Sequence, residues 1–127
     1  MTKALAARRP TWMPGVPTIY ERAMTATPSA VATAASPAPT DLGGVRYSIS
    51  GAASLPSRII EPWEERTGGL LVEGYGLTET SPVLTINPLN DTRRAGTIGL
   101  PLPDTQLRIG DPHDLSRTQP DLSLIHI

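Results

Sequence analysis

Between Val45 and Glu73 the hydrophobic pattern changes period twice, and this stretch limits the fold more than any other part of the sequence. Val45, Tyr47 and Ile49 alternate with polar neighbours, the period of a half-buried strand. From Ser54 to Thr67 the spacing becomes helical. Leu55, Ile59, Ile60 and Trp63 share one side, while Glu61, Glu64, Glu65 and Arg66 fall mostly away from it. Leu70 to Glu73 is a second short apolar run. Strand, helix and strand in about thirty residues are the dimensions of a βαβ unit, with parallel strands and a right-handed crossover.

Local chemistry sets the expected boundaries. Ser54 is the expected helix N-cap and Gly68-Gly69 its end, while Pro62 should kink or split the helix by removing one hydrogen bond. Ser50 to Ala53 is a bend of small residues. Upstream, Pro14-Gly15-Val16-Pro17-Thr18 reads as a turn followed by a short helix, with Pro17 at its first position. Ala23 to Thr40 carries no charge and is mostly Ala, Thr, Ser and Pro, which predicts a flexible connection with a short Ala-rich turn around Ala30 to Ala35. Beyond Gly76, Thr97 to Leu102 and Thr105 to Ile109 read as short strands of a small β-rich subdomain.

The chain is 127 residues long, enough for one modest domain. Its two Trp and three Tyr, with no Phe, are a thin supply of large core side chains. A parallel sheet needs cover on both faces, which a single crossover helix cannot give. Both features predict a part of a larger domain, and a chain that does not melt cooperatively by itself.

Composition removes several classes of function. A net charge of −1 argues against nucleic acid as a partner. The absence of Cys excludes a disulfide framework, a thiol nucleophile and a zinc ribbon. His113 and His126 lack the spacing of a metal site, and no apolar run reaches the length of a membrane span. Lys3, Arg8, Arg9 and Arg22 loosely suggest a transit peptide, but Pro10, Pro14 and Pro17 break the amphipathic helix it would need. The expected location is the cytoplasm.

The chemistry concentrates in Glu73-Gly74-Tyr75-Gly76-Leu77-Thr78-Glu79-Thr80, directly after the second strand. In open α/β sheets ligands bind beyond the carboxyl ends of the strands, where this loop and the Ser50–Ala53 bend should stand side by side. Glycines let backbone amides approach a ligand, a Tyr between two of them can lie flat on a base, and Thr78 offers a hydroxyl to a phosphate. Glu79 offers a hard oxygen suited to Mg²⁺. By residue chemistry alone, a nucleotide loop and an ordinary strand-to-loop turn both remain open. His113 beside Asp114 reads as a solvated pair, Arg93-Arg94 as a solvated turn or a phosphate contact, and Trp63 as a core residue. No Gly-x-Ser-x-Gly, Gly-x-Gly-x-x-Gly or Gly-Lys-Ser/Thr loop occurs.

Gly74 to Pro82 resembles the Tyr-Gly-x-Thr-Glu motif of the adenylate-forming enzymes, in the form used by long-chain fatty acyl-CoA synthetases. Three flanking segments resemble the same family: Pro14 to Tyr20, Arg46 to Pro56 with its Ser-Gly-Ala-Ala-Ser-Leu-Pro, and Gly96 to Pro103 with its Gly-x-x-Gly-x-Pro-x-Pro spacing. The resemblance runs from Arg9 to Pro112. It implies an α/β fold, an internal fragment of the large N-terminal domain in which a parallel βαβ unit precedes a small β-rich subdomain. Residues 1–122 would be a partial AMP-binding domain, and 123–127 a tail foreign to it.

The resemblance also implies roles. Tyr75 would stack on adenine, with Gly51, Ala52, Ala53, Gly74 and Gly76 bordering the nucleotide and acyl chain. Thr78 would contact the α-phosphate, and Glu79 would hold Mg²⁺, these two being the catalytic candidates. Gly99 would let backbone pass near the acyl group, and Val16 and Pro17 would lie near the acyl tunnel. The implied reaction joins a fatty acid to ATP as acyl-adenylate and pyrophosphate, then to CoA as a thioester. The implied small molecules are therefore fatty acid, ATP, Mg²⁺ and CoA, and a peripheral membrane association of the full enzyme is compatible with them. The family's upstream Ser/Thr/Gly-rich loop with its Lys, its downstream Thr-Gly-Asp and its C-terminal domain have no counterpart here. No turnover is expected from this chain alone. Ligases of aryl acids, carrier-protein adenylation domains and a non-catalytic remnant are the alternatives.

Overall fold

The computed structural model describes residues 8–25, 42–111 and 113–118. The elements in chain order are β1 (Trp12–Gly15), α1 (Pro17–Thr25), β2 (Tyr47–Ser50), α2 (Ser57–Thr67) and β3 (Leu70–Tyr75). A 3₁₀ turn (Thr78–Thr80) follows, then β4 (Thr85–Ile86), β5 (Leu100–Pro101), β6 (Gly110–Asp111) and β7 (Asp114–Thr118). The first five strands form one sheet in sequence order, and β6 and β7 form a separate antiparallel pair. β1, β2 and β3 are parallel, whereas β4 and β5 add to the β3 side antiparallel. The βαβ unit is therefore β2–α2–β3, as the periodicity predicts.

Register explains which face is covered. Met13, Ser48 and Leu71 are aligned across the three parallel strands and all buried, as α1 and α2 pack over them. Tyr20 of α1 and Trp63 of α2 have no exposed surface, and the Trp63 indole donates from Nε1 to Ser48 Oγ at 3.0 Å. The Tyr20 hydroxyl shares its proton between the carbonyls of Met13 and Ile49, 2.8 and 2.9 Å away. Burial pushes this phenol well above its ordinary pKa, so it stays a donor. On the opposite face Trp12 tilts against Tyr47, with ring centres 5.9 Å apart, and remains 48% exposed.

Several boundaries differ from expectation. Pro14-Gly15 belongs to a strand and not a turn, because β1 is the edge strand, where a missing N–H is tolerated. Pro17 does open α1, but that helix continues through Ala23 to Thr25, the first residues of the expected flexible connection. The remainder of that connection over 26–41 and the tail 123–127 lie outside the described residues.

Helix α2 starts at Ser57 and not after Ser54, with Pro56 in extended backbone at the N-cap position and no side-chain cap. A residue before proline avoids the helical region, which excludes Leu55 from the helix. Pro62 does not split α2: both it and Arg58, whose carbonyl loses its partner, sit on the exposed side. Gly68 ends the helix at φ 71°, its N–H returning to the Glu64 carbonyl at 2.7 Å.

Strand β3 runs two residues further than expected, through Gly74 and Tyr75, because β4 pairs with them. Within the Thr97–Leu102 run only Leu100–Pro101 is strand, with the Leu102 N–H adding a bond to the Leu84 carbonyl at 2.9 Å, and Thr105–Ile109 forms no strand. Among the described residues no helix is long and apolar enough to cross a membrane.

Candidate functional site

Parallel pairing puts the carboxyl ends of β1, β2 and β3 at one edge of the sheet. The segments leaving them begin with Val16, Gly51 and Gly76. The bend after β2 is tied to β1 and lies against β3: the Gly51 N–H donates to the Gly15 carbonyl at 3.0 Å, and a Cβ on Gly51 would stand 3.5 Å from the Gly74 carbonyl. A cavity of about 330 Å³ opens there. Ala52, Ala53 and Ser54 line it from the bend, Glu73 to Leu77 from the end of β3, and Gly96 to Ile98 from the loop before β5. The two loops expected to meet do meet.

The bend is strained where it borders this space. Ala52 has φ 64°, in the left-handed region where a Cβ is unfavourable. Glu73 fixes its far end, with its carboxylate accepting the Leu55 N–H at 3.1 Å. Glu73 is buried, and burial raises its carboxyl pKa more than the Leu55 amide lowers it.

After Tyr75 the backbone doubles back on itself. A Cβ on Gly76 would overlap the Pro82 carbonyl, so only glycine fits the return. Thr80 holds the turn shut: its hydroxyl oxygen accepts the Leu77 N–H at 2.9 Å and its proton goes to the Leu77 carbonyl at 2.9 Å. The Leu84 N–H closes the loop on the Tyr75 carbonyl at 2.8 Å. Thr78 and Glu79 are exposed on this turn.

Of the expected site residues, Ala52, Ala53, Gly74, Tyr75 and Gly76 line one cavity. Gly51, Thr78 and Glu79 neighbour it in sequence without lining it, and neither Val16, Pro17 nor Gly99 does. Gly99 has φ 86°, and a Cβ there would overlap the Ile86–Asn87 backbone, so its glycine is required by β4 packing. Among the described residues no three His, Cys, Asp or Glu cluster as a metal-binding group. A single carboxylate is nonetheless enough for Mg²⁺, which is commonly held by one or two carboxylates together with substrate phosphates, so Glu79 fits that part.

Sequence reading missed the supports of the third wall. Thr85 Oγ1 donates to the Ile98 carbonyl at 2.7 Å. The buried Asn87 donates from Nδ2 to the Thr97 carbonyl and accepts the Arg94 N–H at 3.0 Å. Arg93 makes a bidentate ion pair with Glu64 and is not a solvated turn residue. A two-residue strand such as Thr85–Ile86 carries no periodicity, so only Thr85 and Asn87, two polar residues within an apolar stretch, could have marked it.

Comparison with known proteins agrees with this geometry. Residues 1–121 match the model of the AMP-binding enzyme family. A long-chain-fatty-acid–CoA ligase of Yersinia pestis is 44% identical over 71 residues, 56% of this chain and 13% of that protein. Its Bacillus subtilis namesake is 37% identical over 109 residues, 84% of this chain and 18% of that protein. The chain thus spans less than a fifth of the length of these relatives. A crystal structure of a benzoate CoA ligase from Burkholderia xenovorans LB400 superposes with a TM-score of 0.75 at 26% identity, covering 94% of this chain and 22% of that one. With the motif-bearing loops gathered at the carboxyl edge of a parallel βαβ unit, the chain belongs to the AMP-binding enzyme family and folds as part of its N-terminal domain.

Proposed function

We propose that this chain carries the adenine-nucleotide loops of an ATP-dependent fatty acid–CoA ligase and does not turn over alone. The observation that carries this reading is the cavity shared by the post-β2 bend and Gly74-Tyr75-Gly76 in a chain of the AMP-binding family. Tyr75 stacks on adenine, Ala52, Ala53, Gly74 and Gly76 border the base, and Gly51 holds the bend against Gly74. Thr78 donates to the α-phosphate. Glu79 holds Mg²⁺, which neutralises phosphate charge when bound. Residues 1–122 form the partial domain, with 123–127 outside it, and the end of the family match at residue 121 supports that division.

In the longer ligase a fatty carboxylate attacks the α-phosphorus of ATP and pyrophosphate leaves. The CoA thiol then attacks the acyl carbonyl and AMP leaves. The protein's part in the first step is positioning and charge stabilisation, which suits Thr78 and Glu79. The preference for a fatty acid rests on the two relatives named for that activity. The likeness to a benzoate CoA ligase supports a second reading, an aryl acid substrate. The location proposed for the ligase is the cytoplasm, with a peripheral membrane contact compatible with a fatty substrate.

Two measurements test the proposal. AMP binding to the 127-residue chain by equilibrium dialysis should be saturable and lost in Tyr75→Ala. ATP–pyrophosphate exchange by the longer protein should depend on a long-chain fatty acid. Exchange driven by benzoate and not by fatty acids would establish the aryl reading, and no AMP binding would leave a non-catalytic remnant.

A further inference from the structure

The third wall of the cavity, Gly96 to Ile98, lies in a loop with no strand or helix of its own, so side chains must hold it. Asn87 and Thr85 grip Thr97 and Ile98 locally. The Glu64–Arg93 pair reaches further. Strand β4 pairs with β3 only at Gly74 and Tyr75, and the Asn87 N–H bonds the Glu73 carbonyl just before them. Upstream of that point, the edge of β3 would carry unpaired backbone groups at Leu71.

There, Glu64 Oε1 accepts the Leu71 N–H at 2.8 Å and Arg93 Nη1 donates to the Leu71 carbonyl at 3.3 Å. The two side chains also close on each other, with Nη1 on Oε1 and Nη2 on Oε2, the latter at 2.7 Å. The ion pair stands where a strand neighbour is missing. Only 25% and 19% of the Arg93 and Glu64 side chains is exposed, so the bidentate geometry is held by its surroundings.

Resting on the reading of this cavity as a nucleotide site, we propose that Glu64 and Arg93 are its positioning pair. By occupying the open edge of β3 at Leu71 they fix the loop that supplies Gly96, Thr97 and Ile98, although neither residue lines the cavity.

The test uses the longer ligase that contains this chain, with amide hydrogen exchange read by mass spectrometry and AMP affinity by equilibrium dialysis. Glu64→Gln and Arg93→Gln should each raise exchange at Gly96 to Ile98 by about tenfold, while Ile49 in β2 keeps its protection. AMP should bind several-fold more weakly, and the double variant should match the singles, since both remove one interaction. Unchanged exchange at Gly96 to Ile98 would overturn the pair's role. If either truncation unfolds the whole chain, Arg93→Lys decides, because it keeps the charge and loses the bidentate fork. Exchange raised at the loop above Ile49 then supports the pair, and uniform exchange overturns it. A parent chain that binds no AMP would overturn the nucleotide reading, with the exchange data still deciding whether the pair anchors the loop.

Discussion

Trp63 meets Tyr20 edge to face, with ring centres 4.9 Å apart and planes at 74°, and neither residue has exposed surface. The contact joins α2 to α1, and each residue also reaches the sheet by a hydrogen bond, Trp63 to Ser48 and Tyr20 to Met13 and Ile49. In a chain with so few aromatic side chains, this pair is the centre of the core. Trp63→Ala should cost about 3–5 kcal/mol, through lost burial, a cavity and an unpartnered Ser48 hydroxyl. That is comparable with the whole stability of a small domain, so loss of near-ultraviolet dichroism at room temperature is expected. Trp63→Phe should cost less, and equal effects of the two would mean that volume does not matter at this position.

Ala52 holds a left-handed backbone that costs an L-residue about 1–2 kcal/mol. Glycine removes that strain but loses about 0.4–1 kcal/mol through the greater freedom of the unfolded chain. Ala52→Gly is therefore expected to stabilise the chain by about 0.5 kcal/mol in urea denaturation. A loss of 1 kcal/mol or more would show that the Ala52 methyl group makes a contact that outweighs its strain.

The βαβ unit was legible because Tyr47 to Ser50 and Ile59 to Trp63 follow regular periods set by burial on one side. The meeting of the two loops followed from topology, since parallel strands put Gly51 and Gly76 at the same edge. Errors came where tertiary context overrides local preference. Pro14 looks like a turn until β1 is known to be an edge strand, and Ser54 looks like a cap until Leu55-Pro56 is seen to stay extended. Glu64, Thr85 and Asn87 were invisible as supports of the wall. Their partners, Arg93, Ile98 and Thr97, lie 10 to 29 residues away, beyond the reach of any local pattern.

Glu64 gives the chain a specific acid sensitivity. Burial alone would raise its pKa, but the Arg93 guanidinium and the Leu71 amide together hold it below the ordinary carboxylate value. A carboxyl depressed in the folded state contributes stability above its unfolded pKa, and loses it as pH falls through the folded one. Glu64→Gln should therefore cost about 1.5–3 kcal/mol at pH 7, the range for a hydrogen-bonded charge. The gap between parent and variant should shrink as pH drops below about 4.5. A gap independent of pH would mean that Glu64 acts through shape and not through charge.

Gly76→Ala separates the loop from the core. The added methyl group would collide with the Pro82 carbonyl, so the turn held by Thr80 must open. The collision lies beyond the end of β3, leaving the β2–β3 ladder intact. Tyr75→Ala removes only the proposed stacking ring, while Gly76→Ala displaces the whole turn. Both should abolish saturable AMP binding, with far-ultraviolet dichroism preserved. Binding retained in Gly76→Ala would place the nucleotide away from this turn.

Glu79 is exposed on the 3₁₀ turn, and its assigned task is electrostatic, so its effect should depend on metal and on the number of phosphates. AMP presents one phosphate and should bind through the base and the Tyr75 ring, with little need of Mg²⁺. ATP presents a chain of phosphates whose charge a cation must offset, and the cation needs a protein oxygen to fix its place. In Glu79→Gln the carboxamide keeps the side chain's size but coordinates a hard cation poorly. ATP affinity measured with Mg²⁺ should fall about tenfold, or about 1.4 kcal/mol, while AMP affinity stays unchanged. Without Mg²⁺ the parent chain and the variant should bind ATP alike, or the variant slightly better for want of a repelling charge. An equal loss for AMP and ATP would make Glu79 a support of the turn, and no loss for either would leave the cation to groups outside this chain.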